Sequence, residues 1–130
     1  MDTPIIDAER SVRGSDDERL LLRIFIGEDD RHEGRPLYQA IVETLRANDL
    51  AGATVLKGIE GFGKSSRLHT SSVLRLSEDL PILIECVSRT DKIEQILPVL
   101  DAMIGDGLIT TQPVTVRVYR AEGPARPADR

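Results

Sequence analysis

The stretch Thr54–Thr70, TVLKGIEGFGKSSRLHT, decides how the rest of the chain is interpreted. It begins with β-prone residues and then places Gly58, Gly61 and Gly63 close together. Closely spaced glycines allow positive φ and a close approach of the backbone to a ligand or to another chain. A dense run of hydrogen-bond donors follows the last glycine. A loop leaving a strand in this way is a candidate binding loop, and a glycine-rich turn with a solvated tip is the alternative.

Working outward from this stretch, the apolar pattern predicts regular elements on both sides. A strand is predicted over 20–26, where Leu22, Ile24 and Ile26 alternate with Leu21, Arg23 and Phe25. The other predicted elements are a helix from Pro36 to about Asn48, a strand opening at Ala53–Leu56, a strand over 81–87, a helix with apolar residues from Ile93 to Ile104, and a last strand Val114–Tyr119. Gly105-Asp106-Gly107 is predicted to end the second helix, because glycines are common at helix C-termini.

The order strand, helix, strand, strand, helix, strand predicts an α+β, ferredoxin-like βαββαβ fold. Its four-stranded antiparallel sheet would carry two helices on one face. Leu21 and Phe25 are apolar residues on the opposite face, so we expect the chain to oligomerise through that face. Residues 18–120 are predicted to form the domain, with flexible tails at 1–17 and 121–130.

Composition narrows the classes of function. The 130 residues carry a formal net charge of -5, which argues against nucleic-acid binding. No apolar run has the length of a membrane span, no signal peptide is visible, and Cys86 is the single cysteine, so a cytoplasmic protein is predicted. His32 and His69 are the only histidines, and no metal-ligand spacing is present. No nucleophile–base set is visible either, so we predict that the chain is not an enzyme.

Four segments resemble parts of PII signalling proteins. GFGKSSRLHT at 61–70 is similar to the base of the PII T-loop, and DLPILIEC at 79–86 resembles the strand that follows it. IGDGLITTQPV at 104–114 resembles the PII B-loop and the next strand, and VRVYR at 116–120 resembles the C-terminal strand with its Arg-x-Arg pair. The segment 23–63 resembles a PII-like family of uncharacterised small bacterial and archaeal proteins. The similarity to that family extends from about Leu20 to Tyr119.

The resemblance implies a homotrimer with an adenine nucleotide in each cleft between neighbouring subunits. Glycine N–H groups and basic side chains would contact the phosphates. The residues that it implies for ligand binding are Gly61, Phe62, Gly63, Lys64, Arg67, His69, Gly105, Asp106, Gly107 and Arg117. Arg117 is expected on the last strand, on the face opposite Val116 and Val118. An ion pair between Arg117 and a carboxylate such as Glu85 is the alternative.

Two departures from the PII pattern bear on the ligand. Leu108 stands where PII proteins have a lysine after GDG, and Tyr119 aligns with the second arginine of the pair. These changes favour AMP, ADP or a cyclic nucleotide over ATP, and no cofactor is implied. We therefore expect a non-enzymatic sensor that acts on a partner protein, such as a membrane transporter, through a mobile loop over about 64–77. The alternatives are a metal-tolerance protein of the trimeric CutA type and an enzyme of unknown reaction.

Overall fold

The structure is a computed structural model that describes residues 19–62 and 79–120. In chain order its elements are β1 (Arg19–Gly27), β2 (Arg31–His32), β3 (Arg35–Pro36), α1 (Leu37–Ala47), β4 (Thr54–Lys57), β5 (Pro81–Arg89), α2 (Thr90–Met103) and β6 (Leu108–Val114). In the part of the chain so described, no helix is long and apolar enough to cross a membrane. The predicted tails and the loop over 64–77 lie outside the described residues.

The main sheet has four antiparallel strands in the order β4-β5-β1-β6. Strands β1 and β4 are parallel to each other, with β5 inserted between them, and α1 connects them. This is the split βαβ arrangement of the ferredoxin-like fold. A separate hairpin, β2–β3, closes with Glu33 and Gly34 at positive φ, as a two-residue type I′ turn requires. The predicted fold class is confirmed.

The core lies between one face of the sheet and the two helices. Alternate residues of the central strands point into it, including Leu22 and Ile24 on β1 and Ile84 on β5, all fully buried. Ile41 on α1 and Ile93 on α2 meet them from the helix layer and are also fully buried. Apolar residues recur with a period of 2 on the strands and of 3.6 on the helices. Both sets therefore line the same core, one from the sheet and the other from the helix layer.

The other face of the sheet, which we call the open face, has no helix against it among the described residues. Its side chains are arranged in rows across the strands. One row is apolar and joins Leu56, Leu83, Phe25 and Leu108. The next row is polar, and in it Arg23 Nε donates to Glu85 Oε2 at 2.9 Å. An apolar row that crosses four strands usually packs against another layer or another chain.

The predicted bounds of the last strand were wrong. β6 is Leu108–Val114, whereas Val114–Tyr119 was predicted. Residues 108–114 pair with β1 from Leu108 opposite Phe25 to Val114 opposite Arg19. The strand tolerates Pro113 because β6 lies at the edge of the sheet, where a missing N–H need not break a ladder. Residues 115–120 continue beyond the paired strand, so Arg117 does not lie on it.

The predicted role of the glycines at the end of α2 was also wrong. The helix ends at Met103, and the Ile104 N–H donates to the Leu100 carbonyl at 3.0 Å. Ile104 itself has extended backbone, with φ -100° and ψ 117°. Neither Gly105 nor Gly107 has positive φ. These glycines are therefore not left-handed helix caps, and their presence needs another explanation.

Candidate functional site

The glycine segments meet at one end of the sheet, which we call the glycine end. A Cβ built on Gly58 or Gly61 would lie 2.7 or 3.1 Å from Pro81 Cγ. Pro81 pairs with Gly27 at the end of β1. A Cβ on Gly107 would lie 2.8 Å from the Phe25 carbonyl oxygen of the same strand end. The glycines of both segments therefore lie at the same end of the sheet, Gly58 and Gly61 beside the start of β5 and Gly107 beside the end of β1.

Gly105 and Gly107 differ in what their surroundings require. Gly107 has no room for a side chain, whereas a Cβ on Gly105 would meet nothing within 4 Å. Neither close packing nor positive φ therefore explains why residue 105 is a glycine. A glycine in that setting leaves the backbone accessible to a ligand or to another chain.

This difference gives a paired prediction. Gly107→Ala is expected to lower the free energy of unfolding by about 1–3 kcal/mol, because the new methyl overlaps a backbone carbonyl that cannot rotate away. Gly105→Ala is expected to raise it slightly, by about 0.5 kcal/mol, by restricting the unfolded chain. Urea unfolding of both variants measures the difference. Equal effects would contradict the packing described for Gly107.

The glycine end is acidic. The Asp29 N–H donates to Asp79 Oδ1 at 2.7 Å, and the Gly27 N–H donates to Asp30 Oδ2 at 2.9 Å. Burial raises the pKa of Asp30, and the nearby carboxylates of Asp79 and Asp106 add to the rise. Lys57 binds Glu28 at 2.8 Å and so neutralises one carboxylate of this end. A phosphate placed here by the described residues of one chain alone would meet mostly negative charge.

The raised pKa of Asp30 predicts how stability depends on pH. A carboxyl with a higher pKa in the folded state than in the unfolded chain binds its proton more readily when folded. Its contribution to stability therefore falls as the pH rises through the folded pKa. Asp30→Asn keeps an oxygen acceptor for the Gly27 N–H and removes the charge. We expect this variant to be more stable than the parent at pH 7 and to lose the advantage near pH 4. Thermal unfolding at both pH values tests this, and a variant less stable at pH 7 would contradict it.

A cleft of about 1030 Å³ lies at the opposite end of the sheet. It is bounded by the start of β1, the turn before β4, the end of β5, the first turn of α2 and the segment after β6. Apolar side chains such as Leu21, Val87 and Tyr119 line it, together with four cationic side chains and two carboxylates. The charged lining residues are Arg19, Arg89, Lys92, Arg117, Asp49 and Glu85. The cleft therefore carries excess positive charge in a chain whose formal net charge is -5.

Ion pairs at the cleft leave some of these charges without partners. Glu85 binds Arg23, and Arg89 binds Asp91 through two hydrogen bonds of 3.1 and 2.9 Å. Arg117 has no hydrogen bond or ion pair with any residue in the described parts of the chain. The alternative of an Arg117–Glu85 ion pair is therefore wrong, because Arg23 holds that carboxylate. An exposed guanidinium at the rim of a cleft is well suited to bind a carboxylate or phosphate.

The predicted site residues are thus divided between two ends. Six residue steps of β1 separate Phe25, next to Gly107, from Arg19 at the cleft, which is about 20 Å along the strand. One small ligand cannot contact Gly107 and Arg117 of the same chain. Gly63, Lys64, Arg67 and His69 lie outside the described residues. Asp49 and Lys92 were not among the predicted site residues, because Asp49 follows α1 and Lys92 lies in the first turn of α2, and no local motif marks either position.

The described residues hold no cluster of three or more His, Cys, Asp and Glu side chains able to bind a metal ion. Cys86 lines the cleft, and burial raises the pKa of its thiol. The thiol is therefore kept protonated and poorly nucleophilic at neutral pH. What the cleft offers is cationic and apolar binding surface.

The fold and these two ends define a small ferredoxin-like α+β protein with a cationic cleft at one end of its sheet and glycine segments at the other. Residues 19–116 match the family DUF190, described as Uncharacterized ACR. The chain belongs to this family. A UPF0166 protein of Aquifex aeolicus is 34% identical over 99 residues, covering 76% of this chain and 93% of that protein. A UPF0166 protein of Methanocaldococcus jannaschii is 37% identical over 103 residues, covering 78% and 93%. The family predicted from the sequence is confirmed.

Solved structures of more distant proteins share part of the chain path. Two are structures of CPII, a nitrogen regulatory PII-like protein from Thiomonas intermedia K12, bound to ADP, AMP and bicarbonate. Their TM-scores are 0.47 and 0.48 at 14% and 15% sequence identity. They cover 76% and 79% of this chain and 94% and 97% of the CPII chains. The ferredoxin-like fold of this chain rests on its own strand order and helix positions.

Proposed function

We propose that this chain is a PII-like regulatory protein and not an enzyme. It forms a homotrimer, acts in the cytoplasm, and binds a small anionic effector in the clefts between neighbouring subunits. The effector is an adenine nucleotide: AMP, ADP or a cyclic nucleotide in preference to ATP. Binding is transmitted to a partner protein, such as a membrane transporter, through the segment that follows Phe62.

The observation that carries this proposal is the positively charged cleft with Arg117 at its rim. Arg117 and Lys92 line it without a side-chain partner among the described residues, so a phosphate would gain charge-assisted hydrogen bonds there. Apolar side chains of Leu21 and Val87 offer a surface for a purine ring. CPII, whose structures contain ADP and AMP, is described as PII-like, which agrees with this choice of effector.

The separation of the two ends supports a site shared between subunits. The glycine end brings backbone groups and open space beside Gly105, and the cleft brings cations, but about 20 Å of strand lies between them in one chain. The open face, with its apolar row of Leu56, Leu83, Phe25 and Leu108, supports self-association of the chain. In the proposed trimer the glycine end of one subunit lies beside the cleft of its neighbour. Gly61, Phe62, Gly105, Asp106 and Gly107 then face the ligand from one chain, and Arg117 from the next.

Calorimetric titration tests the proposal. AMP, ADP, ATP and cyclic AMP are each titrated into the full chain, with Cu²⁺ and Zn²⁺ as the comparison for a metal-tolerance protein. We expect saturable binding of at least one nucleotide with one site per chain, and a rise in melting temperature with nucleotide concentration. Binding of the metals alone, or no nucleotide binding at millimolar concentration by a folded trimer, would overturn the proposed function.

A further inference from the structure

Asp49 has a backbone conformation that its side chain does not favour. Its φ is 62°, in the left-handed region. It follows α1 at the position where a helix most often ends on glycine: the Asp49 N–H donates to the Arg46 carbonyl and the Leu50 N–H to the Leu45 carbonyl, both at 3.1 Å. Left-handed backbone destabilises residues with a Cβ relative to glycine, although less for aspartate and asparagine than for most others. A glycine would satisfy this turn better, so the aspartate has no structural advantage there.

The two backbone hydrogen bonds of this turn would form with glycine as well, so they do not explain the aspartate. The Asp49 carboxylate is exposed and makes no hydrogen bond or ion pair with residues 19–62 or 79–120. The structure therefore contains a strained residue with an unused charge, and such residues are most often found at functional sites. Glu33, with a φ of 52°, is a second acidic residue with positive φ. The two-residue turn of the β2–β3 hairpin explains its conformation, and Glu33 does not line the cleft.

Asp49 lines the same cleft as Lys92 and Arg117. These three side chains have charges with no partner in the described residues, two positive and one negative. A carboxylate beside an anion site weakens anion binding by repulsion unless it accepts hydrogen bonds from the ligand itself. A ligand that suits all three groups thus has an anionic part and, within the span of the cleft, hydroxyl donors. A nucleotide has this pattern, with phosphate oxygens and the 2′- and 3′-hydroxyls of ribose.

We propose that Asp49 binds the ribose hydroxyls of the effector while Lys92 and Arg117 bind its phosphate, and that this role is the reason for a non-glycine residue in a left-handed helix end. The inference rests on the proposed function, because it assumes a nucleotide in the cleft. It adds the orientation of that nucleotide and a selectivity for ribonucleotides over deoxy analogues. Acidic side chains bind ribose hydroxyls in the same manner in dinucleotide-binding folds.

The test compares stability and affinity in the same variants. Asp49→Gly is expected to raise the melting temperature by about 3 °C, because it relieves the strain, and to weaken AMP binding by about 10-fold, because hydrogen bonds to a charged acceptor are lost. Electrostatics alone predicts the opposite change in affinity, since the substitution removes a negative charge near the phosphate. Asp49→Asn, which keeps one acceptor and tolerates left-handed backbone, is expected to lose less AMP affinity than Asp49→Gly. For 2′,3′-dideoxy-AMP, which has no hydroxyls for Asp49 to bind, Asp49→Gly is expected to bind at least as tightly as the parent, because only the electrostatic effect remains.

Glu33→Gly is the matched control. It removes one negative charge and one left-handed acidic residue, so it too is expected to raise the melting temperature, while AMP affinity stays within about two-fold. Unchanged or tighter AMP binding by Asp49→Gly, with Arg117→Ala still weakening it, would overturn this inference and leave the proposed function standing. Absence of AMP binding by the parent chain would overturn both. A melting temperature that does not rise in Asp49→Gly would remove the strain argument.

Discussion

Phe25→Asp is expected to convert the proposed trimer into single chains. Phe25 lies in the middle of the apolar row on the open face, between Leu83 on β5 and Leu108 on β6. It is 37% exposed in the single chain, so the folded chain can accommodate a polar side chain there. In the trimer each subunit would bury one unpaired carboxylate, which costs about 3–5 kcal/mol. The sum of three such penalties exceeds the free energy of association expected for a protein interface of ordinary size.

Light scattering measures the outcome, as a fall from the mass of three chains to that of one chain of 14.4 kDa. Val99→Asp is the matched control, because Val99 on α2 is 42% exposed but lies on the helix side of the molecule. We expect this control to keep the trimer mass. A Phe25→Asp variant that stays trimeric with native circular dichroism would show that the open face is not the interface. A parent chain that is monomeric at micromolar concentration would exclude the trimer directly.

The fold could be predicted from the sequence because the apolar periodicity is regular in the segments whose inward side chains are fully buried. On β1, Leu22, Ile24 and Ile26 alternate with the open-face residues, so the strand and its two faces were predicted together. The helical spacing of α1 and the order of elements then left few possible topologies. The last strand was misplaced because Val114–Tyr119 alternates apolar and polar residues more regularly than LITTQPV does. Pairing with β1, which is a long-range interaction, selects the less regular segment.

The candidate site was only partly predictable for a physical reason. The resemblance to PII proteins assigned Gly105–Gly107 and Arg117 to ligand binding, but within one chain β6 separates them by carrying the backbone from one end of the sheet to the other. The cleft itself is built from five separate segments, and no local pattern marks Asp49 or Lys92 as its members. The positive φ of Asp49 is a property of the folded backbone. Sequence alone shows only an aspartate after a helix, where aspartate is unremarkable.

Arg117→Ala is expected to weaken adenine-nucleotide binding by about 10- to 100-fold and to leave the trimer intact. Charge-assisted hydrogen bonds contribute about 1.5–3 kcal/mol each, and each 1.4 kcal/mol is a ten-fold change in affinity. Because Arg117 has no partner in the described residues, its removal should leave no buried charge uncompensated, and the free energy of unfolding should stay within about 0.5 kcal/mol of the parent. Arg117→Lys should restore part of the affinity, since it keeps the charge but loses the planar fork.

Arg120→Ala provides the control for Arg117→Ala, because Arg120 lies in the same segment after β6 but does not line the cleft. It removes the same charge from the chain and should change affinity by less than about two-fold, with the small remainder due to long-range electrostatics. Titrations at low and moderate salt separate the two contributions, since a direct contact is screened much less than a distant charge. Equal losses in Arg117→Ala and Arg120→Ala would mean that only the general charge of this segment matters. Unchanged affinity in Arg117→Ala, with the fold and the trimer preserved, would exclude the cleft as the phosphate site.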